Sequence, residues 1–179
     1  ISQYHKHDGT LTTNPSNGTD YYYAGNAQPK LLLGFSNTFR YKNIDLNIAL
    51  RGVFGNKIMN ATSADLFRPA TAMSTNILAD AANELPADVA DYTYSTRFIE
   101  SGSYVRLDNA TLGYNFGKIG AGDYIKSLRF YISSNNLFVI TKYKGIDPEV
   151  NQGGIAPGVD YNNFYPKTRT FLLGVNVSF

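Results

Sequence analysis

Residues 31–54 read LLLGFSNTFRYKNIDLNIALRGVF and decide the fold. On both sides of Lys42 and Asn43, apolar side chains alternate with polar or small ones, which is typical of a β-strand with one apolar face. The two intervening residues have the length of a tight hairpin turn. All the charged side chains within these two segments fall on the polar face. The stretch therefore predicts a long antiparallel hairpin with strands at 31–41 and 44–54.

Three further segments repeat this alternation. They are 104–116, a segment that starts at Leu128, and 170–179. In the first of them the apolar parity changes between Leu107 and Ala110, which either a β-bulge or a departure of the strand from the apolar layer explains. The second loses its pattern at Asn135 and Asn136. The sequence thus predicts an all-β chain with five antiparallel strands.

The composition excludes several classes of protein. The 179 residues include 16 basic and 14 acidic side chains, a balance that does not suit a dedicated nucleic-acid binder. Because cysteine is absent, disulfides and cysteine-ligated metals are excluded. Charged residues make up 17%, below the roughly 25% of an ordinary soluble domain, and aromatic residues make up 14%. This mixture fits a soluble all-β domain and a membrane β-barrel.

The connections between the predicted strands alternate in length and favour the membrane barrel. Short turns follow the first and third strands, and loops 55–102 and 141–167 follow the second and fourth. Outer-membrane barrels pair short periplasmic turns with long extracellular loops. We therefore expect residues 1–29 to form an extracellular loop region and residues 30–179 to hold the barrel strands. A soluble antiparallel sandwich also alternates, although its strands average only about 5–6 residues.

Aromatic side chains are expected to form girdles at the two membrane interfaces. Near the proposed periplasmic edge these are Tyr41, Tyr114, Phe116, Phe130 and Phe179, and near the outer edge they are Phe54, Tyr104, Phe138 and Phe171. Five strands do not close a barrel, since the smallest membrane barrels have about 8. An open edge in lipid leaves backbone groups unsatisfied. The chain is therefore expected to be the end of a larger transmembrane barrel.

The two long loops carry further signals. Ile77, Leu78, Ala81, Ala82 and Leu85 recur at helical spacing before Pro86, so a short helix is expected there. The second loop carries four aromatic residues, which are Tyr143, Tyr161, Phe164 and Tyr165. Exposed, they would contact a substrate or a partner; the alternative is that they pack within the loop, since aromatic side chains bury large areas.

No catalytic constellation is present in the sequence, so an enzyme is not expected. The spacing of His5 and His7 permits metal ligation on an extended segment, but a solvated loop explains it better. Asp147 and Glu149 suggest a calcium site or a carboxylate pair, while the intervening Pro148 favours a turn. No cofactor or metal is therefore predicted.

Several motifs together resemble the SusC/RagA type of TonB-dependent outer-membrane transporters. They are GSYVRLDNATLGY at 102–114, NNLF at 135–138, KYKGIDPEV at 142–150, YPKTRTF at 165–171, VSF at 177–179, and FSNTF with YKNIDL at 35–46. Each motif is weak by itself, but together they cover residues 30–179. By these motifs, the chain resembles the C-terminal part of such a transporter.

The resemblance implies a 22-stranded barrel with a plug, of which this chain holds the last five strands. It also implies import of oligosaccharides or peptides across the outer membrane of a Gram-negative bacterium. The implied partners are a SusD-like surface lipoprotein, the TonB complex through the missing N-terminal part, the barrel-assembly machinery that reads Phe179, and the lipid membrane. Without the resemblance, the residues leave open a β-sheet binding or adhesion module that transports nothing.

Overall fold

The computed structural model describes residues 4–16, 18–83, 95–119, 124–150, 157–161 and 165–179. The chain divides into two compact units. The loop unit comprises Ile1–Gln28, Gly55–Gly102 and Tyr143–Tyr165, and the sheet unit comprises Pro29–Phe54, Ser103–Lys142 and Pro166–Phe179. Each unit is therefore assembled from segments that are far apart in sequence.

The sheet unit contains five long antiparallel strands. They are β3 (Leu31–Tyr41), β4 (Ile44–Phe54), β7 (Tyr104–Ile119), β8 (Ile125–Thr141) and β10 (Thr170–Ser178). Their order in space follows their order along the chain, so β3 and β10 are the edge strands of this sheet. Each of the five segments predicted as a strand forms a strand of this sheet, and β3 and β4 have the predicted bounds. The strand β8 also continues beyond the point where the alternation is lost, as far as Thr141.

Local backbone geometry explains the turn and the parity change. In the β3–β4 turn, Lys42 adopts a φ of 51°, the left-handed conformation that two-residue hairpin turns demand. Between β4 and β7 the register shifts, because Ala49 faces Asn109 and the next residue, Leu50, faces Leu107. Asp108 is therefore the extra residue of a β-bulge. The bulge, rather than a departure from the sheet, accounts for the change of parity.

The two faces of the sheet differ sharply in chemistry. The apolar face is defined by the alternate positions that run across all five strands. Its exposed members include Leu33, Phe35, Phe39, Ile44, Leu112, Phe130, Ile132, Leu173 and Val175. Leu173 is 80% exposed and Val175 is 50% exposed. The opposite face, here called the polar face, carries amides, hydroxyls and ion pairs.

The expected aromatic girdles are only partly observed. All five residues assigned to the inner edge are exposed. Of the outer group, however, Tyr104 is buried, and Phe171 lies in register with Ser134, about halfway along β8. The bulge at Asp108 causes the first discrepancy, because it moves Tyr104 to the polar face, and the late start of β10 at Thr170 causes the second.

The loop unit has its own small sheet and core. The sheet consists of β5 (Lys57–Asn60), which pairs antiparallel with β6 (Ile99–Ser101) and parallel with β9 (Val159–Asp160). A separate pair is formed by β1 (Tyr4–His5) and β2 (Leu11–Thr12). The helix α1 (Ala61–Leu66) follows β5 directly. One core cluster contains Ala64, Phe67, Ala81 and Phe98, and another contains Ile58, Tyr143 and Val150.

The helix predicted around Ile77–Leu85 is corrected by the structure. Only a short 3-10 helix forms there, at Ala79–Asn83, while Leu85 and Pro86 lie outside the described residues. Ile77 and Leu78 instead pack against the core cluster of Phe67 and Phe98, so their spacing reflects burial rather than an α-helix. None of the helices in the described ranges has the length and apolar character needed to cross a membrane.

Candidate functional site

The polar face of the sheet unit carries a bidentate ion pair that spans three strands. Arg129 on β8 donates to Asp45 on β4 through Nε (3.0 Å) and Nη2 (2.6 Å). The guanidinium crosses Gly113 on the intervening β7, where an added Cβ would collide with it. Both side chains are three-quarters or more buried. The glycine at 113 thus leaves the space through which the guanidinium reaches Asp45.

A second ion pair lies further along the same face. Arg51 on β4 donates to both carboxylate oxygens of Asp108 at 3.1 Å, so the bulged residue supplies the partner of this arginine. The guanidinium carbon also lies 6.0 Å from the centroid of the Tyr104 ring. Since a bulge re-aims a side chain, the parity change noted in the sequence has a direct consequence for the charge pattern of this face.

Arg106 and Asn136 connect β7 and β8 to the segment before β10. The side chain of Arg106 is almost fully buried, stacks 5.5 Å from the centroid of the Tyr104 ring, and donates through Nη1 to the side-chain oxygen of Asn136. Asn136 has a φ of 53° and donates to the carbonyl oxygens of Lys167 (2.9 Å) and Thr168 (3.3 Å). The alternation is therefore lost at the point where Asn136 connects β7 and β8 to the segment before β10 by hydrogen bonds.

The rest of the polar face includes several neutral hydrogen-bonding pairs. Cross-strand bonds join Thr38 to Asn47, Thr111 to Ser133, and Asn109 to Asn135. The described residues of this face offer hydroxyls, amides and paired charges. Such a surface suits contact with water and polar solutes, and nothing in its described residues is arranged for bond cleavage.

The four aromatic residues of the second long loop are placed differently. Tyr161 and Tyr165 are exposed, at 63% and 77%. Tyr143 is only 6% exposed and packs with Ile58 and Val150, so it is part of a core cluster rather than a contact surface. Phe164 lies outside the described residues. Of the predicted contact residues, the structure therefore presents Tyr161 and Tyr165 to solvent.

A buried polar network fastens the segments of the loop unit together. The hydroxyl of Tyr143 donates to Oδ2 of Asp160, and Thr62 donates to Oδ1 of the same carboxylate at 3.2 Å. Burial, followed by the neighbouring Asp160 carboxylate, raises the pKa of Tyr143 well above its usual value of 10. The hydroxyl therefore stays protonated as a donor at physiological pH.

Asn60 extends the network to the start of α1. Its Oδ1 accepts from the backbone N–H of Ser63 at 2.8 Å, which caps the helix, and its Nδ2 donates to Glu100 at 3.0 Å. Glu100 in turn accepts from the backbone N–H of Lys144 at 2.7 Å. The sequence reasoning missed α1 and this role, although an Asn that directly precedes a run of small helix-compatible residues is a recognised capping signal.

The candidate metal ligands that the sequence offers at 5, 7, 147 and 149 do not form a group of three in the structure. Oδ1 of Asp147 accepts from the backbone N–H of Glu149 at 2.9 Å, the geometry of an Asx turn. Among the residues that the structure describes, no three histidine, aspartate or glutamate side chains come together in a way that would hold a metal ion. At Asp147–Glu149 the structure shows the turn that Pro148 favours.

The chain resembles known proteins over most of its length. No family model matches the chain. It is 34% identical over 177 residues to the TonB-dependent receptor P3 of Formosa agariphila, and 34% identical over 159 residues to the TonB-dependent receptor SusC of Bacteroides thetaiotaomicron. Its homologues are TonB-dependent receptors of the SusC/RagA type. The alignments cover 87% and 83% of this chain but only 17% and 15% of the two receptors.

Solved structures give the same result for the fold. The chain superimposes on the RagAB peptide importer in its open-open state with a TM-score of 0.77, and in its closed-closed state with a TM-score of 0.78. The sequence identities are 22% and 23%, and each match covers 97% of this chain and 20% of the other. The resemblance to SusC/RagA-type receptors that the motifs predicted is confirmed.

Proposed function

We propose that this chain forms the last five strands of the barrel wall in a TonB-dependent importer of the outer membrane of a Gram-negative bacterium. The observation that carries this proposal is the exposed apolar face, which crosses all five strands while the opposite face is polar. Lipid-facing and lumen-facing side chains alternate in this way in transmembrane barrels. Strands from the rest of the protein would pair with β3 and β10 and close a barrel of 22 strands.

In this arrangement the short turns face the periplasm and the long loops face the cell exterior. The polar face then lines the lumen, where its paired charges and neutral amides border the path of a polar solute. The loop unit is a compact structure with its own cores, which suits an extracellular position. Phe179 would lie at the periplasmic end, where we propose that the barrel-assembly machinery reads it.

The proposed substrates are oligosaccharides or peptides. SusC and the RagAB peptide importer are among the proteins that this chain resembles. Exposed aromatic rings such as those of Tyr161 and Tyr165 can stack on sugar rings or pack against peptide side chains. We further propose that a SusD-like lipoprotein covers the extracellular side, and that the TonB complex acts through the N-terminal part of the full protein.

Uptake by the full-length receptor tests this function. A strain that lacks the receptor is complemented with the wild type, and growth is measured on defined oligosaccharides and on peptides, with and without a functional TonB complex. We expect growth on one of the two substrate classes, dependent on TonB. Binding of substrate to cells without any uptake would support the adhesion or binding module instead.

The exposed tyrosines are tested by measuring the binding of substrate to the same complemented cells. We expect Tyr161→Ala combined with Tyr165→Ala to weaken substrate binding by about tenfold, because stacked aromatic contacts are each worth roughly 0.5–1.5 kcal/mol. The matched control is Tyr124→Ala, which removes another strongly exposed tyrosine from the sheet unit. An equal effect of both changes on binding would contradict a specific role for Tyr161 and Tyr165.

A further inference from the structure

The apolar face contains a groove near the short turns. The groove has a volume of about 610 Å³, and its lining includes Ile44, Leu112, Phe130, Ile132, Leu173 and Val175. It spans β4, β7, β8 and β10, in the part of the sheet next to the β3–β4 turn. Its size lies within the roughly 300–1,000 Å³ of small-molecule sites. Its wall is almost wholly apolar, which suits a hydrocarbon chain.

Exposed lysines flank this end of the apolar face. Lys42 in the β3–β4 turn holds its Nζ 5.4 Å from the ring centroid of Tyr41, an exposed aromatic residue of the apolar face. Lys126, at the start of β8, falls in the same alternation as Leu128 and Phe130 and is also exposed. Lysines at the end of an apolar surface bury their stems and present the ammonium group to the interface.

The charge distribution of the chain supports an anionic ligand. The sheet unit holds 11 basic and 3 acidic residues, whereas the loop unit holds 5 basic and 11 acidic residues. The two carboxylates in the described part of the sheet unit, Asp45 and Asp108, are each bound to an arginine on the polar face. No side-chain carboxylate among these described sheet residues is therefore left to oppose an anion at the apolar edge.

We propose that the groove and its flanking lysines bind an anionic phospholipid of the leaflet at the short-turn end of the sheet. One acyl chain lies in the groove, and the phosphate group contacts Lys42 and Lys126. The inference rests on the proposed function, because it requires the apolar face to contact a bilayer. The proposed function places the apolar face in contact with lipid in general, and the inference names one class of lipid that binds there.

The test uses the full-length receptor in mild detergent and native mass spectrometry. Binding of dioleoylphosphatidylglycerol is compared with binding of dioleoylphosphatidylcholine, for the wild type and for Lys42→Gln combined with Lys126→Gln. We expect the wild type to prefer phosphatidylglycerol, and the double variant to bind it roughly 25-fold more weakly, at about fivefold per lysine. Binding of phosphatidylcholine should stay within twofold of the wild type.

Two controls make the result specific. Lys30→Gln combined with Lys142→Gln removes two exposed lysines from the opposite end of the sheet and should change phosphatidylglycerol binding by less than twofold. Leu112→Trp should fill the groove and weaken both lipids about tenfold, whereas Leu31→Trp at the far end of the apolar face should not. The proposal is overturned by equal binding of the two lipids in the wild type, or by equal losses in the two lysine variants.

The experiment also separates this proposal from the proposed function. Lipid binding in detergent is measured without transport. Selective lipid binding therefore supports the lipid site whether or not the receptor takes up substrate, and a lack of lipid preference overturns the lipid site alone. A lack of uptake counts against the import function alone.

Discussion

The carboxylate of Asp45 and the guanidinium of Arg129 are joined by two hydrogen bonds although a complete strand lies between their own strands. The bridge is possible because residue 113 on that middle strand is a glycine, which leaves room for the guanidinium. Gly113 on β7 thus allows the ion pair between β4 and β8 to form. In the proposed barrel this link would stiffen the wall on its lumenal side.

Gly113→Ala should weaken this bridge. The added Cβ pushes the flexible guanidinium of Arg129 aside, so that one of its two hydrogen bonds to the partly buried Asp45 is lost, and such a charged bond is worth about 1.5–3 kcal/mol. We expect the free energy of unfolding of the full-length receptor to fall by about 1–3 kcal/mol, measured by urea titration in detergent. Gly34→Ala, on β3 where an added Cβ meets no other atom, is the control and should cost less than 1 kcal/mol.

Two adjacent leucines on β10 test which face of the sheet meets lipid. Leu173 is on the apolar face, and Leu172 is on the polar face; both are exposed. We expect Leu173→Arg to lower the free energy of unfolding in lipid vesicles by up to about 2–4 kcal/mol, the range for arginine at the bilayer midplane. Leu172→Arg should cost much less, because the new side chain would reach water in the lumen. Equal losses would count against lipid contact at Leu173.

The sequence predicts the sheet well because the alternation of side chains is local. The strands β3 and β4 appear at their predicted bounds, since each has an uninterrupted period of two and the turn between them is short. The bulge at Asp108 was visible as a change of parity, but its identification required the register, which depends on the facing strand.

The loop unit shows what local patterns omit. The apolar residues Ile77 and Leu78 mimic helical spacing but pack into a core made with Phe67 and Phe98, which lie elsewhere in the sequence. The burial of Tyr143 likewise depends on Ile58 in β5 and on Asp160 in β9. These contacts are long-range, so neither periodicity nor composition contains them.

Tyr143 gives the loop unit a characteristic dependence on pH. Its pKa is raised in the folded state, so the folded protein keeps the proton when the unfolded chain loses it. The stabilising contribution is therefore complete below pH 10 and decreases above it, by up to about 1.4 kcal/mol per pH unit. Chymotrypsin digestion of the loop unit in the full-length receptor, measured between pH 7 and pH 11, should accelerate above pH 10.

Two variants control this prediction. Tyr143→Phe removes the ionisable group, so digestion should rise at pH 7 and lose most of the additional increase above pH 10. Asp160→Asn keeps the tyrosine but removes the carboxylate that its hydroxyl contacts, and should therefore retain a rise at high pH. A rise above pH 10 that is the same in Tyr143→Phe and in the wild type would show that another group causes it.

Asn60 has two partners, and two substitutions separate them. Asn60→Ala removes the N-cap of α1 and the donor to Glu100, so the amide hydrogen of Ser63 should exchange at least fivefold faster, as expected for a cap worth about 1 kcal/mol.

Asn60→Asp keeps an oxygen that caps the helix but places a carboxylate against Glu100. In this variant the amide hydrogen of Ser63 should exchange fast at pH 8, where the carboxylates at 60 and 100 repel each other. Near pH 5 the exchange should become slow again, because the two carboxylates share a proton. Hydrogen exchange on the full-length receptor measures both effects, and a pH-independent rate in the aspartate variant would mean that Glu100 does not contact residue 60.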